Sequence, residues 1–210
     1  MSSTGPDSGD RPRYPIGGRM SDVVLGLGRR LRVPALTARY SSVAVLGAFA
    51  FINGVISIGL MALAAFVTGQ PFVFPSLGPT AFLLFYTPTA ASASPRNTLC
   101  GHLIGAVAGY LSLAVFGLLH EGPALAVGVS GGRIGAAALS LGLTAGVMVW
   151  LKVPHPPAGA TTLIVSLGML TTIPKLAVLM LAVVFLVAQA FAINRLAGID
   201  YPWWSPAAPE

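Results

Sequence analysis

Residues 43–67, 99–119, 134–151 and 176–193 form long apolar runs that contain no Asp, Glu, Lys or Arg. About 20 apolar residues in a helix cross the roughly 30 Å hydrocarbon layer of a bilayer. Two shorter apolar segments, 72–86 and 156–170, lie between these runs and are interrupted by Pro and Gly. A chain patterned in this way has few alternatives to an all-α bundle in lipid, because backbone polar groups at membrane depth must be satisfied within the protein. The composition agrees: 55% of the 210 residues are hydrophobic and 9% are charged, against about 25% charged in ordinary soluble domains. Such a chain has too little polar surface to face water on all sides.

The six segments follow one another as long, short, long, long, short, long. Pro75, Gly78 and Thr80 in the first short segment match Pro156, Gly159 and Thr161 in the second at a constant offset of 81. The sequence therefore predicts a polytopic membrane helix bundle with two long–short–long repeats, in which segments 2 and 5 are half-helices. Three crossings per repeat would invert the second relative to the first, a plan found in many transporters. The expected divisions are an Arg-rich tail over 1–40, a transmembrane domain over 41–197 and a tail over 198–210. Within the first, residues 1–19 read as disordered and 20–39 as a surface helix broken before Pro34.

The formal net charge is +6, but its distribution does not suggest a nucleic-acid surface. Seven of the twelve basic residues precede the first apolar run, as expected of a cytoplasmic anchor. Six crossings from a cytoplasmic N-terminus would leave only Arg133 and Lys175 outside, which satisfies the positive-inside rule. Arg in preference to Lys suggests a bacterial inner membrane. The single Cys100 allows neither an intrachain disulfide nor a Cys-based metal site, and no cofactor or metal is expected.

Proline and hydroxyl residues at the head of each short segment are helix-start signals, placing starts near Ser76–Thr80 and Pro157–Thr161. A helix N-terminus exposes unpaired N–H groups and partial positive charge. Two such ends facing each other across an inverted repeat would make a site for a small anion. Ser76, Gly78, Thr80, Gly159, Thr161 and Thr162 are the expected binding residues. His155 at the head of segment 5 either binds the anion when protonated or caps the loop, and Arg96 either draws anions into a vestibule or snorkels to headgroups. His102 should face the bundle interior, as a packing hydrogen bond or in a pathway. Asn53 and Gln189 are expected to bond between helices, and Asn194-Arg195 to end the last one. Gly101, Gly105 and Gly109 form a small-residue ridge for packing within the protomer or across a homo-oligomer. The absence of Asp and Glu from every apolar segment argues against cation selectivity and against an acid–base catalytic pair.

The stretches PSLGPTAFLLF (75–85), SPRNTLCGHLIGAVAGYLSLAVFG (94–117), AAALSLGLTAGVM (136–148), HPPAGATTLIVSLG (155–168) and INRLAGIDYPWW (193–204) resemble the HPP family of integral membrane proteins, named for the tripeptide found here as His155-Pro156-Pro157. The resemblance covers about residues 40–204. It implies a bundle usually described with four or so membrane helices. It also implies transport of a small inorganic anion, since plant plastid and cyanobacterial members are associated with nitrite. The competing expectation is a non-transporting membrane scaffold or sensor subunit. A membrane enzyme ranks last, because no nucleophile–base or metal constellation is present.

Overall fold

A computed structural model describes residues 32–206, and among these every regular element is helical. The order is α1 (Val33–Thr37), α2 (Ser42–Thr68), α3 (Leu77–Tyr86), a 3-10 turn (Ala91–Ala93), α4 (Pro95–Val115), α5 (Ala124–Val127), α6 (Gly131–Trp150), α7 (Ala158–Ser166) and α8 (Ile173–Leu196). Helices α2, α4, α6 and α8 are long and apolar enough to cross a membrane. Helices α3 and α7, with 10 and 9 residues, are the expected short segments, so the long and short elements follow the predicted sequence. Residues 1–31, which hold most of the expected surface helix and disordered tail, lie outside the described residues.

Local signals explain most boundaries. Gly69 ends α2 in the left-handed conformation, with φ of 66° and its N–H bonded to Ala65 O, the usual use of a C-terminal glycine. Ser94 caps α4 by accepting from Asn97 N–H, and Pro95 occupies the first turn, where its missing donor costs nothing. Pro34 likewise sits in the first turn of α1, so it opens a short helix where the sequence suggested a break.

The core gathers Met61 of α2, Leu77, Leu84 and Phe85 of α3, Leu113 of α4 and Leu179 and Leu186 of α8. The other half of the bundle is joined to it by backbone proximity. A Cβ at Gly101 would lie 2.7 Å from His155 Cβ, and one at Gly105 would lie 2.7 Å from the Ala158 carbonyl oxygen. Gly109 meets Val165 in the same way. The glycine ridge of α4 therefore packs within the protomer against α7 and the loop before it. Pairs 101/155, 105/158 and 109/165 advance together along both chains, so α4 and α7 run in the same direction.

Both ends of the described chain return to one face of the bundle. Val33 N–H donates to Ala197 O, Arg96 N–H to Trp204 O at 3.1 Å, and Tyr201 Oη–H to Ala93 O at 2.7 Å. Tyr201 is fully buried, and Trp203 lies beneath the Arg195 guanidinium, 5.0 Å from its ring centre.

Several polar residues differ from expectation. Arg133, expected in an external turn, is only 2% exposed. Its guanidinium donates to Ser166 O at 3.3 Å and Gly122 O at 2.8 Å, placing positive charge at the carbonyl end of α7 where the helix dipole favours it. Asn194 lies in the last turn of α8, where the helix was expected to end, but it is buried and donates to Leu84 O at 3.0 Å, tying α8 to α3. Asn53 donates to Phe49 O in its own helix, and the Gln189 amide atoms have no partner, so neither bonds between helices.

Candidate functional site: a threonine–histidine centre

The two short helices meet at one imidazole. Thr80 Oγ1 of α3 lies 2.9 Å from His102 Nε2, and Thr161 Oγ1 of α7 lies 2.7 Å from His102 Nδ1. The two threonines are the repeat-equivalent pair of the sequence. His102 stands seven residues into α4, about 10 Å below that helix's start at 1.5 Å per residue. Helix α3 begins at this level and leads back to the turn that precedes α4, so it runs against α4, whereas α7 runs with it. Two helix starts thus approach the same ring from opposite directions.

His155, just ahead of α7, completes the centre. Its Nε2 is 3.2 Å from His102 Nε2 and 3.5 Å from Thr80 Oγ1. The two rings are 4.9 Å apart at their centres and inclined by 55°. Its Nδ1 is 2.7 Å from Ser92 O. Thr80, His102, His155 and Thr161 are all fully buried.

The donors can be assigned by elimination. A carbonyl only accepts, so His155 Nδ1 carries the hydrogen and donates to Ser92 O. In neutral His155, Nε2 is then an acceptor. The hydrogen between the rings therefore belongs to His102 Nε2, which faces both Thr80 Oγ1 and His155 Nε2. His102 Nδ1 is left as an acceptor for the Thr161 hydroxyl. The Thr80 hydroxyl donates to Ser76 O at 2.9 Å. Every ring nitrogen is thereby satisfied with both histidines neutral.

The remaining predicted residues take various places. Ser76 is fully buried, one turn from Thr80, and its hydroxyl has no partner. It precedes α3 without capping it. Thr162 is not in the histidine centre: its hydroxyl pairs with Thr144 Oγ1 of α6 at 2.8 Å. Gly159 is half-buried, and Gly78 is exposed on the outer side of α3. Arg96 is half-buried near the start of α4, six residues before His102. The expected array of free N–H groups is largely spent, since Ala158, Gly159 and Ala160 N–H close tight bonds to His155, Pro156 and Pro157 carbonyls.

Sequence reading left His102 open between packing and pathway and did not include it among the binding residues. The available signal was its cost in an apolar helix. Thr144 carried no such signal.

A family model described as "HPP, transmembrane region" matches residues 38–202. Among curated proteins, a transmembrane protein of Dictyostelium discoideum is 30% identical over 140 residues, covering 61% of this chain and 44% of its own length. A second Dictyostelium discoideum transmembrane protein is 33% identical over 93 residues, covering 44% of this chain and 27% of its own length. The chain thus spans less than half the length of these curated relatives. No solved structure matches. The match over most of the chain, in a helical bundle whose long helices can cross a membrane, shows that this chain belongs to the HPP transmembrane family.

Proposed function

We propose that the chain moves a small inorganic anion, nitrite or a similar oxyanion, across a bilayer through the threonine–histidine centre. The observation that carries this reading is the attachment of repeat-equivalent Thr80 and Thr161 to opposite nitrogens of His102. Two helix starts directed at one spot create a region that favours negative charge, and the hydroxyls and imidazoles are donors suited to a compact oxyanion. The lack of carboxylates in the spans supports the choice of sign. The centre is closed: an anion must displace Thr–His bonds to pass, with the unpartnered Ser76 hydroxyl beside it as a further donor.

The six segments are read as two inverted units related through His102, with lipid and a possible second copy around the largely exposed α2. A bacterial inner membrane with the N-terminus in the cytoplasm fits the charge distribution. Arg39, Arg96, Lys152 and Arg195 fall at the end to which both ends of the described residues return. Lys175 is exposed in the first turn of α8, while Arg133 is buried. The reading involves no catalytic step and no cofactor.

The test is flux in liposomes holding the full chain, with nitrite, nitrate, formate and chloride compared against protein-free vesicles. Oxyanion flux that falls on Thr161→Val substitution is expected, and vesicles tight to all four anions would overturn the proposal. The second reading, a scaffold or sensor subunit, is favoured by the closeness of α4 and α7. Under it, the vesicles stay tight while the centre still governs stability.

A further inference from the structure

We infer that the His102–His155 pair binds one proton that crosses together with the anion, making passage electroneutral. The inference rests on the anion reading above and adds the coupled ion to it. Its basis is the geometry of the two facing Nε2 atoms, 3.2 Å apart. With His155 Nδ1–H held by Ser92 O, the space between the rings accommodates a single hydrogen. Protonating both Nε2 atoms would set two N–H groups against each other, so the pair takes up one proton and rejects a second.

That proton adds at His102 Nδ1, the one ring nitrogen in the neutral network whose lone pair faces a reversible partner. Once protonated, Nδ1 donates to Thr161 Oγ1 instead of accepting from it. The Thr161 hydroxyl hydrogen is then released to point elsewhere. One event thus creates an imidazolium charge and frees a hydroxyl donor next to it, at the head of α7. The buried, unpartnered Ser76 hydroxyl is an independent second donor from the head of α3. A small oxyanion fills the vacancy, and proton and anion leave together, restoring the neutral network. The groups facing the pair are the Thr80 hydroxyl from α3, the Thr161 hydroxyl from α7 and the Ser92 carbonyl from the 3-10 turn. None of them is charged, so the charge of the bound proton is balanced only by the anion. This is the physical origin of the coupling.

The experiment uses the full chain in liposomes with a pH dye in the lumen, the membrane potential set by potassium and valinomycin, and nitrite added outside. Protein-free vesicles give the background from unaided nitrous acid. The inference expects nitrite uptake to acidify the lumen beyond that background, with distribution unaffected by the potential. A uniported anion would instead redistribute about fifty-fold for about 100 mV. Flux that moves charge without acidification overturns the inference and leaves anion passage standing, whereas no flux overturns both. His102→Asn removes the titratable ring that takes up the proton, while His155 keeps its bond to Ser92 O. It is expected to make any remaining flux respond to potential, and flux that stays electroneutral in this variant counts against the pair.

Discussion

Thr80 and Thr161 lie 81 positions apart in the sequence and clasp the same imidazole from its two sides. This arrangement makes His102 the hinge point of both halves of the chain, since α3 and α7 share no other hydrogen-bonded partner of this kind among the described residues. Its loss should be felt by both short helices at once.

Replacing His102 with Ala is expected to cost about 2–4 kcal/mol, combining lost buried hydrogen bonds with the space the ring vacates. Thermal unfolding in detergent would show it as a lowered Tm. A variant as stable as the parent would mean that the ring is not a structural link between α3 and α7.

Gly105→Ala should destabilise by about 1–3 kcal/mol, the range for overpacking, because its Cβ would sit 2.7 Å from the Ala158 carbonyl oxygen and 2.8 Å from Thr162 Oγ1. Gly54→Ala in α2, where a Cβ meets nothing within 4 Å, is the internal control and should unfold no earlier than the parent, since Ala favours the helix over Gly.

Arg133→Met removes the donors to Ser166 O and Gly122 O while keeping much of the side-chain volume. The two carbonyls lose charge-assisted partners, so a loss of about 2–3 kcal/mol is expected. Arg133→Lys should recover part of it by keeping the charge at the end of α7, although its single ammonium cannot reproduce the fork. Tm values for the pair separate charge from geometry.

Tyr201 gives a prediction in pH. Burial raises its phenol pKa above the ordinary value of 10.0, so the folded state holds the proton more tightly than the unfolded state. Its contribution is complete below pH 10 and declines as pH rises beyond it. Tyr201→Phe should remove that part of the alkaline loss and cost about 1 kcal/mol at neutral pH through the missing bond to Ala93 O. Denaturation midpoints measured along an alkaline series for both proteins would test the sign.

Much of this architecture was legible because the signals were local. Uncharged runs of about 20 residues marked the long helices, and Pro, Gly and Thr marked the starts of α3 and α7. The offset between those motifs identified the threonines that meet at His102. What escaped was set by tertiary distance. Arg133 looked like a boundary cation because sequence shows a residue's place along the chain, not the carbonyls awaiting it at Ser166 and Gly122. Asn194 does lie in the last turn of α8, as its place in the sequence suggested, but its bond to Leu84, 110 residues away, could not be read from that place. Thr162 adjoins Thr161 in sequence but projects to a different neighbour, Thr144, because successive helical residues point in different directions.

The attachment of Tyr201 to the 3-10 turn has a temporal consequence. The turn presents Ser92 O to His155 and Ala93 O to Tyr201, so the histidine pair leans on a strut contributed by the segment that follows α8. Synthesis proceeds from the N-terminus, and helices α1 to α8 have all been made before that strut emerges from the ribosome. The centre therefore reaches its finished geometry only once the segment after α8 has been made, and until then the nascent bundle has helices α1 to α8 but an unbraced middle.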